Sequence, residues 1–459
     1  MGSRSKRDKG ASTPPSTFNA FRTVERLFKD KARPVRLDLA FDADQITWDS
    51  PPASQEPGSA RCDGDGGAQE RTRGVWTSGD GTEVECWKVS LDLDRCDVEV
   101  GQSRWKGKAK DDASPVERDF AIVIPRIPGF VLFPAIVPPP LQRQLVRESL
   151  KHARSPNVTS LDPHFDLPDD GLWTAWKEGR GSEKVPRRIK DDDARDVDGA
   201  SGSSSVVNDR ADLDPTVEEL VPKLRWSNVG YHYDWTAKVY DFTRDFVPLP
   251  PLIHACCRTL ARRMDWSEVF GQTPSGHGDP GRMRDGLDGD RDWERWKDEY
   301  DPDGGIVNFY QLKDSLTGHT DHSEADAVRP LVSLSLGHSA IFLVGGLTKD
   351  VEPLAIIVRS GDGLVMSGQA GRRAYHGLPR VLSGTLPDYL SSQTPGRRPV
   401  VSRHDLERDR PSTDSRSASR ASQTLEVEVG GDDAEEDWAI YGEYLERGAR
   451  ININVRSVL

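Results

Sequence analysis

The sequence predicts a mainly β fold with flanking helices, an α+β sandwich or barrel that carries long low-complexity insertions. Three observations predict it. Short β-branched runs recur at close spacing between residues 306 and 366 and return at the C-terminus, the pattern of a sandwich or barrel. Helical signals are read in three flanking places, 17–31, 141–153 and 435–447. Hydrophobic residues make up only 35% of the 459, against 41 glycines, 32 prolines and 30% charged residues. That composition excludes a wholly packed globule of this length.

Residues 1–16 are polar and read as a disordered tail. Residues 17–31 set Phe18, Phe21, Val24, Leu27 and Phe28 at helical spacing, with Thr17 or Ser16 as the cap. Tail and helix form a first unit, 1–44. Residues 45–118 lean towards Gly, Asp, Ser and Arg and read as a low-complexity linker or insertion. From Phe120 an apolar, strand-rich stretch broken by prolines opens a domain spanning 119–459. Pro138–Pro140 then start the helix at 141–153, since proline suits a helix start and not its interior. Low-complexity interruptions follow at 180–215, 272–304 and 390–433. Strands are expected at 306–310, 330–336, 340–344, 354–358 and 364–366. The helix at 435–447 precedes a last strand at 451–458.

No run of about 18 apolar residues exists, so no membrane span is expected. The basic start is not followed by an apolar signal region, and Lys6 stands where an N-myristoylation pattern needs Ser or Thr. Five cysteines without metal spacing read as reduced thiols. The expected setting is intracellular, in the nucleus, cytoplasm or mitochondrion, as a monomer. The formal net charge of −13 argues at first against a nucleic-acid partner. Residues 187–219, 278–303 and 383–437 each carry −5, however, which leaves +2 on the rest of the chain. The acidity lies in the interruptions, so a polyanionic substrate stays open.

The segment 308–321 is the most informative. His319 and Asp321 are two apart, so both leave the same face of an extended backbone, and Asn308 and Tyr310 share a face on the preceding strand. An imidazole and a carboxylate together with a second histidine make the facial triad of non-haem Fe(II) oxygenases. By itself the pair fits a surface turn as well. His376, after the 364–366 strand, supplies the second histidine, or is a structural one. In 450–456, Arg450, Asn452, Asn454 and Arg456 alternate with Ile451, Ile453 and Val455. Crowding two arginines and two amides on one face suits an anion, since guanidinium matches carboxylate bidentately. The alternative is an edge strand with a solvated face.

Together, Asn308-x-Tyr310, His319-x-Asp321, His376 and Arg450-x-Asn452-x-x-x-Arg456 resemble the AlkB family of Fe(II)/2-oxoglutarate dioxygenases. Residues 224–233, 329–346 and 361–368 resemble its first eukaryotic subgroup, as do 157–164 and the 18–34 helix. The resemblance implies a double-stranded β-helix (jelly roll). It implies iron ligation by His319, Asp321 and His376, and a 2-oxoglutarate pocket of Asn308, Tyr310, Arg450, Asn452 and Arg456, the two arginines serving opposite carboxylates. Position 454 departs from the family, which often has Thr there. Trp226, Tyr231 and Tyr233 match aromatics of a nucleotide-recognition lid and are equally readable as core aromatics. Glu324 and His322 are each readable as lining the base pocket or as surface residues, the surface reading being the better one for His322. The implied activity is oxidative demethylation or hydroxylation, with O2, of methyladenine or methylcytosine in tRNA or in single-stranded or unpaired DNA. The alternative is the same chemistry on protein, such as histone.

Overall fold

The computed structural model describes residues 19–50, 72–100, 103–104, 119–188, 213–270, 293–321, 323–324, 327–393, 425–427 and 438–459. Its core is a jelly roll of two facing antiparallel sheets. The large sheet has ten strands: β1 (Thr47–Trp48), β2 (Arg73–Thr77), β3 (Glu83–Ser90), β6 (Phe120–Val123), β7 (Phe130–Phe133), β8 (Trp226–Gly230), β11 (Gly304–Tyr310), β13 (Leu331–Gly337), β16 (Gly363–Met366) and β19 (Arg450–Arg456). Their order is β1-β2-β3-β6-β7-β16-β13-β19-β11-β8. The small sheet runs β12 (Leu316–His319), β17 (His376–Val381), β14 (Ala340–Val344), β15 (Leu354–Val358). A hairpin, β9 (Tyr233–Asp234) with β10 (Val239–Tyr240), projects from the end of β8. A patch of three strands pairs β18 (Leu425–Val427) with β4 (Val98–Val100) and β4 with β5 (Ser103–Arg104).

The side-chain period of two explains how the large sheet is covered. One set of alternate residues (Val332, Leu334, Leu336, Ile451, Ile453, Val455) packs with Leu141 and Leu145 of the helix Pro139–Lys151 and with Ile253 and Leu260 of the helix Pro251–Arg263. Towards the small sheet, Phe130, Leu132, Leu364 and Met366 meet Val344, Leu354, Ile356 and Val358 in a second core. Further along that same inner face the alternate residues are polar: Asn308 and Tyr310 on β11, Ser333 and Ser335 on β13, and Arg450, Asn452, Asn454 and Arg456 on β19. Burial on both faces leaves that polar row nowhere to go but into a cleft between the sheets.

Two readings of the sequence need correction. Residues 73–90, placed in a linker, form the β2–β3 hairpin inside the large sheet, with Trp76, Val84, Cys86 and Val89 buried. The alternation of Glu83-Val-Glu-Cys86 is a strand signal that the surrounding Gly/Asp-rich composition hides. The N-terminal helix is Ala20–Lys29, and its cap is Asn19, which accepts from Arg22 N at 3.0 Å; Ser16, Thr17 and Phe18 lie outside the described residues. In that helix Phe21 and Phe28 are buried, while Leu27 is 45% exposed. Of the interruptions, 189–212, 271–292, 394–424 and 428–433 lie outside the described residues. The described ends are structured: helix Trp293–Glu299 packs Trp296 into the core, Leu390 is buried, and Leu425–Val427 pairs in parallel with Val98–Val100.

Candidate active site

β12 and β17 are neighbours, and their register sets His319 directly against His376. Asp321 follows two residues after His319 and comes back towards both rings. His319 Nδ1 lies 3.0 Å from the Thr317 carbonyl and His376 Nδ1 2.9 Å from the Ala374 carbonyl. Each imidazole therefore donates from Nδ1 to a backbone oxygen two residues earlier, which leaves its Nε2 lone pair free, the orientation metal-binding histidines adopt. His319 Nε2 is 3.7 Å and His376 Nε2 4.0 Å from the Asp321 carboxylate. These spacings are too long for hydrogen bonds, yet all three donors lie within 4.8 Å of one another, close enough to share one ion. Gly318 is required by this packing, because a Cβ there would stand 2.3 Å from the Phe21 ring of the N-terminal helix.

Electrostatics prepare two of these groups, Asp321 and His376. Burial opposes ionisation of Asp321, but Arg456, His376, His319 and Arg372 outweigh it and hold the carboxyl well below the usual carboxylate range. Burial, helped by the neighbouring His319, pushes His376 down to about 4, so it is a neutral imidazole at physiological pH. A carboxylate at Asp321 and a neutral imidazole at His376 are protonation states that ligation needs.

The polar row of the large sheet forms the floor. Asn308 opposes Asn452, and Tyr310 opposes Arg450. Arg450, 2% exposed, donates from Nη1 to the His338 carbonyl at 2.7 Å and from Nη2 to Ser335 Oγ at 2.8 Å. Its Nε has no partner, and no carboxylate pairs with it among the described residues. Burial pushes its guanidinium down to about 10. This is a buried cation with no carboxylate in contact among the described residues, which fits the carboxylate of a bound acid. Asn452 Nδ2 donates to Ser333 Oγ at 2.8 Å, and Asn454 Nδ2 donates to Asn452 Oδ1 at 2.9 Å. Asn454 thus keeps the row polar and fixes its neighbour. Arg456, at the other end, is already engaged: Nη1 donates to Glu324 Oε1 at 2.8 Å and lies 3.3 Å from Asp321 Oδ2.

Floor and triad line one cavity of 710 Å³, whose outer wall is Tyr233, Trp235 and Lys238 of the β9–β10 hairpin. His319, Asp321, His376, Asn308, Tyr310, Arg450, Asn452, Arg456, Tyr233 and Glu324 all line it. Trp226 and Tyr231 do not. Trp226 packs against Trp235 with centroids 5.0 Å apart, and Tyr231 packs against Phe246 at 4.6 Å. Tyr231 loses the parity it would share with Tyr233 because β8 ends at Gly230, whose φ of +75° turns the chain under the Asp303 carbonyl. Glu324 lines the cavity with its side chain 1% exposed and held by Arg456 and Arg372. His322 lies outside the described residues.

Sequence reasoning missed Ser333 and Ser335, although the alternation Val332-Ser-Leu-Ser-Leu336 carried the signal. It also missed Trp235, Tyr240 and Arg372, for which no spacing rule existed.

A family profile described as 2OG-Fe(II) oxygenase superfamily matches residues 196–456. The chain is 30% identical over 351 residues to the mouse protein named nucleic acid dioxygenase ALKBH1, covering 75% of this chain and 68% of that one. It is 31% identical over 280 residues to the Arabidopsis thaliana DNA N(6)-methyladenine demethylase ALKBH1A, covering 60% and 69%. To the Schizosaccharomyces pombe tRNA demethylase abh1 it is 29% identical over 271 residues, covering 58% and 72%.

Proposed function

The chain belongs to the 2OG-Fe(II) oxygenase superfamily, and on that premise we propose that it is a nucleic-acid dioxygenase that removes methyl groups from adenine or cytosine in tRNA or unpaired DNA. The observation that carries the reading is one cavity with three differently built walls: a ligand triad, an arginine-ended polar floor, and an aromatic rim. The named activities of the relatives, a DNA N(6)-methyladenine demethylase and a tRNA demethylase, support the substrate class.

His319, Asp321 and His376 would hold Fe(II). Bound there with 2-oxoglutarate and O2, the metal would supply the oxidation of an otherwise inert N-methyl C–H bond. The protein's own contribution is binding and orientation. Arg450 closes a charge pair with one carboxylate of the co-substrate at the dry end of the floor, while Tyr310 and Ser335 shape that end. Asn308, Asn452 and Asn454 present fixed amides along the row. At the mouth Tyr233 and Trp235 meet edge to face, with centroids 5.0 Å apart, and offer flat surfaces on which an extruded base stacks. Tyr233 OH lies 3.3 Å from Ser323 Oγ, which donates to the Lys238 carbonyl at 3.1 Å. The hairpin is thereby tied to the loop that carries Asp321. Lys238 places a cation at the rim, where backbone phosphates arrive.

Nucleoside mass spectrometry after incubation with methylated tRNA, single-stranded DNA and histone peptide tests the reading. Loss of methyladenine or methylcytosine from nucleic acid is expected. Turnover confined to the peptide would refute it in favour of a protein oxygenase.

A further inference from the structure

Extending inward from Asp321 of the triad is a largely buried cluster of four charges: Asp321, Arg456, Glu324 and Arg372. They arrive from three places, namely the loop after β12, the strand β19, and the helix Gly368–Arg373 that leads into β17 and His376. Arg456 lies between the two carboxylates, 2.8 Å from Glu324 and 3.3 Å from Asp321. Arg372 Nη2 is 3.0 Å from the other Glu324 oxygen, and Arg372 Nε donates to the Arg329 carbonyl at 3.2 Å. The Nη2–Oε2 approach completes no hydrogen bond, so that attraction is Coulombic. Both the Arg372 and the Glu324 side chains are 1% exposed. Tyr240 of the β9–β10 hairpin donates its hydroxyl to the same Glu324 oxygen that Arg456 uses, at 3.3 Å.

Burying four charges is a poor way to gain stability, since an apolar set of similar volume does as well or better. The alternation of sign along the cluster suggests another purpose. Arg456 flanked only by Asp321 and an unshared Glu324 would face a carboxylate with two free oxygens and could rotate onto either. Arg372 occupies the outer oxygen. Glu324 then offers one oxygen to Arg456 and holds its guanidinium against the metal-side carboxylate.

We propose that Arg372 is a positioning residue which, through Glu324, fixes Arg456 for the metal-side end of the bound 2-oxoglutarate, with Tyr240 tying the aromatic hairpin to the same carboxylate. This rests on the co-substrate reading of the floor given above. The test uses the full chain loaded with Mn(II), without nucleic acid, and reads 2-oxoglutarate binding by calorimetry alongside the melting temperature. Arg372→Met is expected to raise the 2-oxoglutarate dissociation constant about tenfold or more, and Arg372→Lys to recover part of the loss. Arg372→Met also leaves Arg456 as the one cation, among the described residues, in contact with both Glu324 and Asp321, an excess of buried negative charge that lowers the melting temperature. The double variant Glu324→Gln/Arg372→Gln removes both charges together, so it should recover the melting temperature but not the affinity. If Arg372→Met does not fold, the double variant decides. Recovery of both properties in the double variant, or an unchanged constant in a folded Arg372→Met, would overturn the proposal. Arg450→Ala in the same titration separates the two readings. Weakened binding there with none in Arg372→Met removes the positioning role alone, and no change in either removes the co-substrate site as well.

Discussion

The two arginines of β19 share a strand face but not an electrostatic situation, and that difference yields a quantitative test. Arg450 is buried, hydrogen-bonded only to neutral groups and with no carboxylate in contact among the described residues, whereas Arg456 is paired with two carboxylates. A charge-assisted contact to a carboxylate contributes about 1.5–3 kcal/mol, so Arg450→Ala should weaken 2-oxoglutarate binding roughly 10- to 150-fold. Ligand-induced stabilisation makes this visible without turnover. At a concentration about 100 times its dissociation constant, 2-oxoglutarate stabilises the Mn(II)-loaded wild type by about 2.7 kcal/mol. At the same concentration a variant bound 100-fold more weakly gains only about 0.4 kcal/mol. The wild-type melting shift of about 3–5 °C should then fall below about 1 °C. Arg456→Ala should behave differently: it leaves Glu324 with Arg372 alone and Asp321 with no cation in contact, and should lower the melting temperature before any ligand is added. The assay is differential scanning fluorimetry of wild type, Arg450→Ala, Arg450→Lys and Arg456→Ala, with and without co-substrate. Lysine at 450 should recover part of the shift, because an ammonium does not reproduce the planar fork. An undiminished co-substrate shift in Arg450→Ala would refute the reasoning, as would an unloaded Arg456→Ala that melts like wild type.

Further expectations follow from the same geometry. His319→Ala or Asp321→Ala should abolish metal-dependent succinate formation while leaving the circular dichroism spectrum intact; turnover retained in the double variant would remove the metal assignment. Gly318→Ala forces a Cβ to 2.3 Å from the Phe21 ring, an overpacking expected to cost about 1–3 kcal/mol in a denaturant titration, and an unchanged midpoint would show that the N-terminal helix yields freely. Replacing residues 394–420 by a short Gly/Ser linker should keep 2-oxoglutarate turnover within a few-fold, since closure cost changes slowly with length, provided that Leu425–Val427, paired with β4, is retained. Insolubility of that deletion would show that the segment is structural. Trp235→Ala should weaken single-stranded nucleic-acid binding by about 1–3 kcal/mol with nucleic-acid-free 2-oxoglutarate turnover unchanged; equal losses in both would assign Trp235 to the fold of the site.

What the sequence by itself determined is whatever a local period can write. The alternation of 450–456 separated Arg450, Asn452, Asn454 and Arg456 from Ile451, Ile453 and Val455, and the structure sends the two sets to the cavity and to the helix-packed core. His319-x-Asp321 placed two donors on one side, and the short apolar runs of β14, β15 and β16 marked strands because their length and β-branched content suit a buried strand. The β2–β3 hairpin was equally written, in Glu83-Val-Glu-Cys86, but a strand of eight residues is lost when composition is averaged over a segment of seventy. Only the tertiary structure decided which residues meet across the cleft. His376 becomes the partner of His319 through register between strands 57 positions apart. Arg372 reaches Glu324 from a short helix, and Tyr231 leaves the site because Gly230 turns the chain. The physical reason is that side-chain direction along one strand follows from backbone sterics alone, whereas the pairing of charges from different strands is chosen by the free energy of burying them together. That free energy is a property of the assembled core and is written in no single segment.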